Sequence, residues 1–417
     1  MTRVTRVTRA RASVARRYRQ ARWLPLAAFV GLAARGLFGC GDDSNSGAAA
    51  NPGDGGPDLF HNAPQDGVHG DASVTVVGRD AGPAPTCGGM PFAASPVKAD
   101  VLLVIDKSGS MAETPDGFGM DKWTAMRSAL ETALTMVKDD INIGLDLYPF
   151  PDECTVPQGD DVRVPVQEGG KALPKILDAL DASDPSGGTP TAAALARARR
   201  YFTTGAGAAL KGEHYVLLAT DGGPNCNPKL ACGADACTVN LDGQCPMAVD
   251  NCCDPTEAGA GAEAGCLDDA AGLAEIEALA SAGVATFVVG IPGTEAYASS
   301  LDAFAVTGGR PNPDGPPAYF AVSAKGGATG LADVLGVITQ GLITSCRFRL
   351  DSAPPDPARL NVEIDGKAVP QTGADGWALD ASADPPTVVL KGATCARIQS
   401  EGAQSVQVVY GCPTLIE

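Results

Sequence analysis

The chain has 417 residues, with 31 Lys and Arg, 49 Asp and Glu, 3 His and 13 Cys, and a formal charge of −18; its length allows two or three domains. Nine arginines and no acid stand in residues 1–39, which leaves 22 bases against 49 acids in the rest. A body so acidic repels phosphate and is a poor partner for nucleic acid or an anionic lipid surface. Three histidines exclude a polyhistidine zinc site and make a Ser-His-Asp triad a poor fit.

The basic start reads as an export signal. An Arg-rich segment precedes the mostly apolar run Leu24–Ala34, which is shorter than the about 20 residues a bilayer span needs. Arg16-Arg17 leaves a twin-arginine route open. Leu37-Phe38-Gly39-Cys40 resembles a bacterial lipobox. That resemblance implies a signal peptide over residues 1–39 and lipidation at Cys40, placing an exported chain in the cell envelope on the periplasmic or surface face of a bacterial membrane. Residues 40–98 are rich in Gly, Pro, Asp and Ser and are expected to be a disordered tether, with a reach of about 40 Å as a flexible coil. With Cys40 set aside, twelve cysteines remain in an exported chain, which implies up to six disulfides and an oxidising compartment.

From Ala99 the pattern changes. Val101-Leu102-Leu103-Val104-Ile105 is a continuous apolar run ending in Asp106, as in a strand buried on both faces of a parallel sheet. Trp123, Met126, Leu130, Leu134 and Val137 recur at helical spacing. Ile141–Tyr148 reads as a strand, Val162–Val166 as a short edge strand, and Lys171–Leu180 and Pro190–Phe202 as helices. Tyr215–Thr220 is a buried strand ending in Asp221. A helix at Leu273–Ala282, a strand at Val284–Ile291, helices at Glu295–Ala305 and Leu331–Leu342, and a strand around Tyr319–Val322 follow. Alternating strands and helices predict an α/β domain over residues 99–345, a doubly wound and mostly parallel sheet flanked by helices. From Cys346 the period becomes two. Arg347–Leu350, Leu360–Ile364, Trp377–Leu379, Thr387–Leu390 and Ser405–Tyr410 predict a small all-β domain over residues 346–417, a sandwich with Trp377 in its core.

In open α/β sheets ligands bind beyond the carboxyl ends of the strands. Three loops lie there: Asp106-Lys107-Ser108-Gly109-Ser110, Ser186-Gly187-Gly188-Thr189-Pro190-Thr191 and Thr220-Asp221-Gly222-Gly223. Each carries hard oxygen donors beside glycines that allow close backbone approach. Such residues also serve as helix caps and turn formers, and Ser110 and Thr189 suit that role as well.

In this order the residues resemble the von Willebrand factor type A family and its metal-ion-dependent adhesion site, over about residues 99–345. The family's Asp-x-Ser-x-Ser, distant Thr and distant Asp fall on Asp106, Ser108, Ser110, Thr189 and Asp221. The resemblance implies a divalent ion, Mg²⁺ or else Mn²⁺ or Ca²⁺, with an open position for a carboxylate. The partner would be a protein or surface polymer presenting that carboxylate. Two carboxylates and three hydroxyls suit Mg²⁺, which favours oxygen ligands and keeps waters. The expected function is binding, not catalysis. A structural envelope protein with a vestigial site is the alternative. A haloacid-dehalogenase-type phosphatase fits less well, because the second acid it wants two residues after Asp106 is Ser108.

Residues 222–267 form an insert with seven cysteines: Cys226, Cys232, Cys237, Cys245, Cys252, Cys253 and Cys266. Without a Cys-x-x-Cys pair, and in an exported chain, disulfides are expected there. The odd count means that one of them pairs outside the insert or stays free, and Cys154, after the second strand, is the expected partner. The remaining pairs are expected to be Cys87–Cys346, a clasp across the ends of the α/β domain, and Cys395–Cys412.

Overall fold

The computed structural model describes residues 89–416, apart from Asp152, Thr372 and residues 402–404. The signal segment, Cys40 and Cys87 lie outside the described residues. In chain order the elements begin with β1 (Met90–Phe92), β2 (Ala94–Pro96), β3 (Ala99–Asp106), α1 (Lys122–Val137), β4 (Asn142–Tyr148), β5 (Val164–Glu168), α2 (Gly169–Asp181), α3 (Thr191–Thr203) and β6 (Glu213–Thr220). The short α4 (Thr238–Leu241) and α5 (Pro255–Ala258) lie in the insert. They are followed by α6 (Asp269–Ser281), β7 (Val284–Gly290), α7 (Ala298–Thr307), β8 (Phe320–Ala321) and α8 (Gly327–Ile343). The last group is β9 (Arg347–Leu350), β10 (Leu360–Ile364), β11 (Lys367–Val369), β12 (Trp377–Asp380), β13 (Thr387–Leu390), α9 (Gly392–Glu401) and β14 (Val406–Tyr410).

Six strands form one sheet in the order β5-β4-β3-β6-β7-β8. All neighbours are parallel except β5 on β4. Every residue of β3 is buried, as a continuous apolar run requires when both faces of a sheet are covered. Its side chains alternate between two cores. Val101, Leu103 and Ile105 join the apolar faces of α1, α2 and α8. Leu102 and Val104 join those of α3, α6 and α7. The result is a three-layer α/β domain. α8 belongs to the only described stretch long and apolar enough to span a bilayer, yet Leu331, Leu335, Ile338 and Leu342 are buried in the same core as the stripe of α1.

The β-sandwich differs from the sequence expectation at both ends. Its two antiparallel sheets run β1-β14-β10-β11 and β12-β13-β9-β2. Met90–Phe92 and Ala94–Pro96, expected in the tether, are therefore edge strands of the sandwich, paired with β14 and β9. Pro91 and Pro96 hid them, yet an edge strand tolerates a missing N–H. The chain thus enters the sandwich first, leaves at Val97 to build the α/β domain, and returns at β9. Helix α9 was also unexpected in an all-β domain. Among its described side chains only Ile398 is a buried core residue, too few for a helical stripe. Trp377 is fully buried and donates its indole N–H to the Val369 carbonyl at 3.0 Å.

The insert folds around sulfur. Cys154 is bonded to Cys226, and Cys232–Cys266, Cys237–Cys253 and Cys245–Cys252 close the rest. Cys237, Cys253 and Cys266 are buried at its centre, where a segment of this size lacks apolar residues for a core of its own. The cluster Cys232, Cys253 and Cys266 is bound up in these disulfides and offers no thiolate to a metal. Outside the insert the expected pairs are corrected, because Cys346 bonds Cys395. The reason is α9, whose Cys395 stands over the start of β9. Cys412 is disulfide-bonded as well. Every other described cysteine is paired within the described residues, so with Cys40 set aside for lipidation Cys87 is the expected partner of Cys412. Non-reducing peptide mapping is expected to give a Cys346–Cys395 peptide and a Cys87–Cys412 peptide; recovery of Cys395–Cys412 would overturn this assignment.

Candidate metal centre

The parallel register of β3 and β6 sets Ile105 beside Ala219, so both strands end at the same level and release Asp106 and Asp221 side by side. Asp106 is fully buried. Its Oδ1 accepts the Ser108 amide at 2.8 Å and its Oδ2 accepts the Thr220 hydroxyl at 2.6 Å. Asp221 is 2% exposed. Its Oδ1 accepts the Ser110 hydroxyl at 2.9 Å and a long contact from Ser108 at 3.4 Å, and the two serine oxygens are 3.1 Å apart.

The second loop is drawn onto the first by backbone. Ser186 N–H donates to Lys107 O at 2.8 Å and Gly109 N–H to Gly187 O at 2.9 Å. Gly187 has φ +82° and packs against Glu153 so closely that no side chain fits, which is the conformation glycine alone adopts freely. Thr189 is buried beside Gly222: a Cβ there would stand 3.8 Å from the threonine hydroxyl. That hydroxyl makes no hydrogen bond to the other four residues. Four of the five residues named from the sequence therefore share one hydrogen-bonded cluster, and Thr189 stands at its edge.

Sequence reasoning missed three contributors. Asn225 holds the Thr189 loop, with its side-chain oxygen accepting the Thr189 amide at 2.7 Å. Thr220 seals Asp106. Lys122 is the most consequential: it is 3% exposed, and its Nζ lies 2.8 Å from Asp221 Oδ2 and 3.3 Å from Glu113 Oε2. A signal was present. Asp121 caps α1 through the Thr124 amide, which places a lysine at the positive end of a helix, where the helix dipole disfavours it. A partner acid explains the placement.

The electrostatics of the pair are unequal. Burial, and then repulsion from Asp221, pushes the Asp106 carboxyl well above the usual carboxylate range. Burial raises Asp221 too, but Lys122 opposes it. Among the described residues no lysine or arginine comes within ion-pair distance of Asp106. The donor set is thus two carboxylates and three hydroxyls converging on one rim, with one carboxylate lacking a counter-charge. Oxygen ligands with a deficit of positive charge fit a small hard cation such as Mg²⁺.

The von Willebrand factor type A domain family matches residues 100–323, more than half of the chain, and the chain belongs to that family. No curated protein matches it. Among solved structures, the open form of the pilus adhesin SpaC from Lactobacillus rhamnosus GG is 16% identical. That alignment covers 78% of this chain and 39% of the adhesin, with a TM-score of 0.40. The vWF domain of the type V pili tip protein Mfa5 from Porphyromonas gingivalis is 14% identical over 60% of this chain and 97% of that domain, TM-score 0.37. A von Willebrand factor type A protein from Catenulispora acidiphila is 15% identical over 78% and 60%, TM-score 0.36. The chain spans about two fifths of the length of the pilus adhesin.

Removing one member of a buried ion pair strands the other and costs about 3–5 kcal/mol. Lys122→Met is expected to destabilise the chelator-treated α/β domain on that scale in denaturant unfolding. Adding Asp221→Asn is expected to recover most of the loss. Additive losses would mean that the two side chains are not coupled.

Proposed function

We propose that this chain is an exported adhesion module that grips a carboxylate on a protein or surface polymer through a divalent ion at the carboxyl end of the sheet. The observation that carries the reading is Asp106, buried without a cation beside the Asp221–Lys122 pair. Asp106, Ser108 and Ser110 would hold the ion, with Asp221 and Thr189 joining directly or through water. The ion supplies an electrophilic position for an outside oxygen. Lys122 already offsets Asp221, so the ion would meet about one uncompensated carboxylate and keep the charge to accept another. The acidic body disfavours acidic partners at long range, and salt screens that repulsion within about 8–10 Å. The metal contact is therefore short-ranged, and partner surfaces around it would be basic. A lipid on Cys40 would hold the module at the envelope, and catalysis plays no part in this reading.

Three measurements test it. In calorimetry, Mg²⁺ is expected to bind the wild type, and Asp106→Ala is expected to lose that binding while its circular dichroism is unchanged. In pull-downs from an envelope extract, chelator should release the partner and Mg²⁺ restore it. A structural envelope protein with a vestigial site would bind equally with and without metal. The mass of the mature protein is expected to show cleavage before Cys40 plus acyl chains, and an unmodified N-terminus elsewhere would defeat the anchor.

A further inference from the structure

At the opposite end of the sheet, where β6 and β7 begin, the α/β domain meets β9 and the β12–β13 loop of the sandwich across a cleft of about 610 Å³. Lys211, Arg310, Arg347 and Arg349 line it against Glu213 and Asp384. Burial holds the His214 imidazole below its usual range, against the pull of Asp100. Positive charge thus dominates this cleft in a body that holds 22 bases to 49 acids.

Internal pairing accounts for only one of the four cations. Arg347 faces Glu213 at 3.8 Å and Asp380 at 3.5 Å. No carboxylate among the described residues lies within ion-pair distance of Lys211, Arg310 or Arg349. Arg349 donates to the Lys211 carbonyl at 3.0 Å, which ties a sandwich strand to the loop before β6. Arg310 is the most constrained. Its guanidinium lies 5.1 Å from the Tyr215 ring centre and 5.8 Å from that of Phe287, and one Nη donates to the Tyr215 hydroxyl at 3.0 Å. Its Nε is buried without a hydrogen-bond partner. Tyr215 is itself fixed by donating to Glu213 at 2.7 Å. A guanidinium stacked on two rings has lost its rotamer freedom before any ligand arrives, so an oxyanion meets a preorganised fork.

We propose that this cleft is an oxyanion-binding site, which takes a carboxylate or phosphate group of a small ligand on Arg310, with Lys211 and Arg349 as supporting cations. Because the walls come from both domains, an occupant would brace the α/β domain against the sandwich. The site needs no metal and stands apart from the proposed function.

The test is calorimetry on the disulfide-intact protein with citrate and with inorganic phosphate, against sodium chloride of equal ionic strength. The protein is stripped of metal with chelator and then dialysed into chelator-free, metal-free buffer, so that the metal loops contribute nothing. The wild type is expected to bind one or both anions and to gain thermal stability with concentration. Citrate alone would name a carboxylate ligand, and phosphate alone a phosphate ester. Arg310→Gln and, separately, Arg349→Gln should each weaken binding about tenfold, as loss of a charge-assisted hydrogen bond does. Arg127→Gln, on the exposed face of α1, should leave it unchanged. Wild type that prefers neither anion to chloride, or Arg349→Gln and Arg310→Gln that bind as tightly as wild type, would overturn the proposal.

Discussion

Asp106 and Asp221 are carried to one point by strand register, and two like charges out of water within reach of a shared pair of serines would oppose folding by several kcal/mol if left alone. Everything around them serves to lower that cost. Thr220 and the Ser108 amide bind one carboxylate, and the serine hydroxyls and Lys122 bind the other. The neutral hydrogen bonds spread the charge without cancelling it. Lys122 cancels one of the two charges and does so from the first residue of α1, so the helix that packs against the sheet also sets the charge of the site. The remaining deficit on Asp106 gives the rim its affinity for a cation in the proposed reading.

The second constraint is the insertion of the α/β domain into the sandwich. β2 pairs with β9, so the strands entering and leaving the domain lie in one sheet. Both connections to the domain are short, from Pro96 to Ala99 and from Ile343 to Arg347, and neither acts as a free linker. Cys346–Cys395 then fixes the exit of α8 to α9 of the sandwich. A displacement of α8 along the sheet would have to strain that bond or move the sandwich with it.

Much of the α/β domain was legible because its central strands are buried on both faces, and such burial requires a continuous apolar run. Asp106, Ser108, Ser110 and Asp221 were legible for a related reason, as each follows such a run directly or within a few residues. What escaped depended on contacts distant in sequence. Lys122 meets Asp221 across 99 residues, and Asn225 holds Thr189 from the edge of the insert. The proline-bearing β1 and β2 carry no apolar run, since edge strands that bury one or two side chains need none. The disulfide at Cys346 went wrong because chain ends were paired by proximity of domain termini, whereas the unforeseen α9 supplied a nearer sulfur.

The distribution of basic side chains in an acidic body connects the two ends of the domain. Most of the ion pairs here are exposed or half-exposed, such as Lys171–Glu168 and Arg359–Asp356, and contribute little. Two cations are buried against acids in the α/β domain. Lys122 answers Asp221 at the carboxyl end, and Arg197 answers Asp146 within the core at 2.9 Å. Of the arginines in the amino-end cleft, Arg347 is paired with Glu213 and Asp380, whereas Arg310 and Arg349 have no carboxylate within ion-pair distance among the described residues. Arg310 instead rests on two aromatic rings, an arrangement that keeps a guanidinium fixed and leaves its charge unspent. In the two proposed readings, the carboxyl end would take a cation and the amino end an anion. One sheet separates the two proposed sites, and the anion cleft shares none of the side chains that would hold the cation.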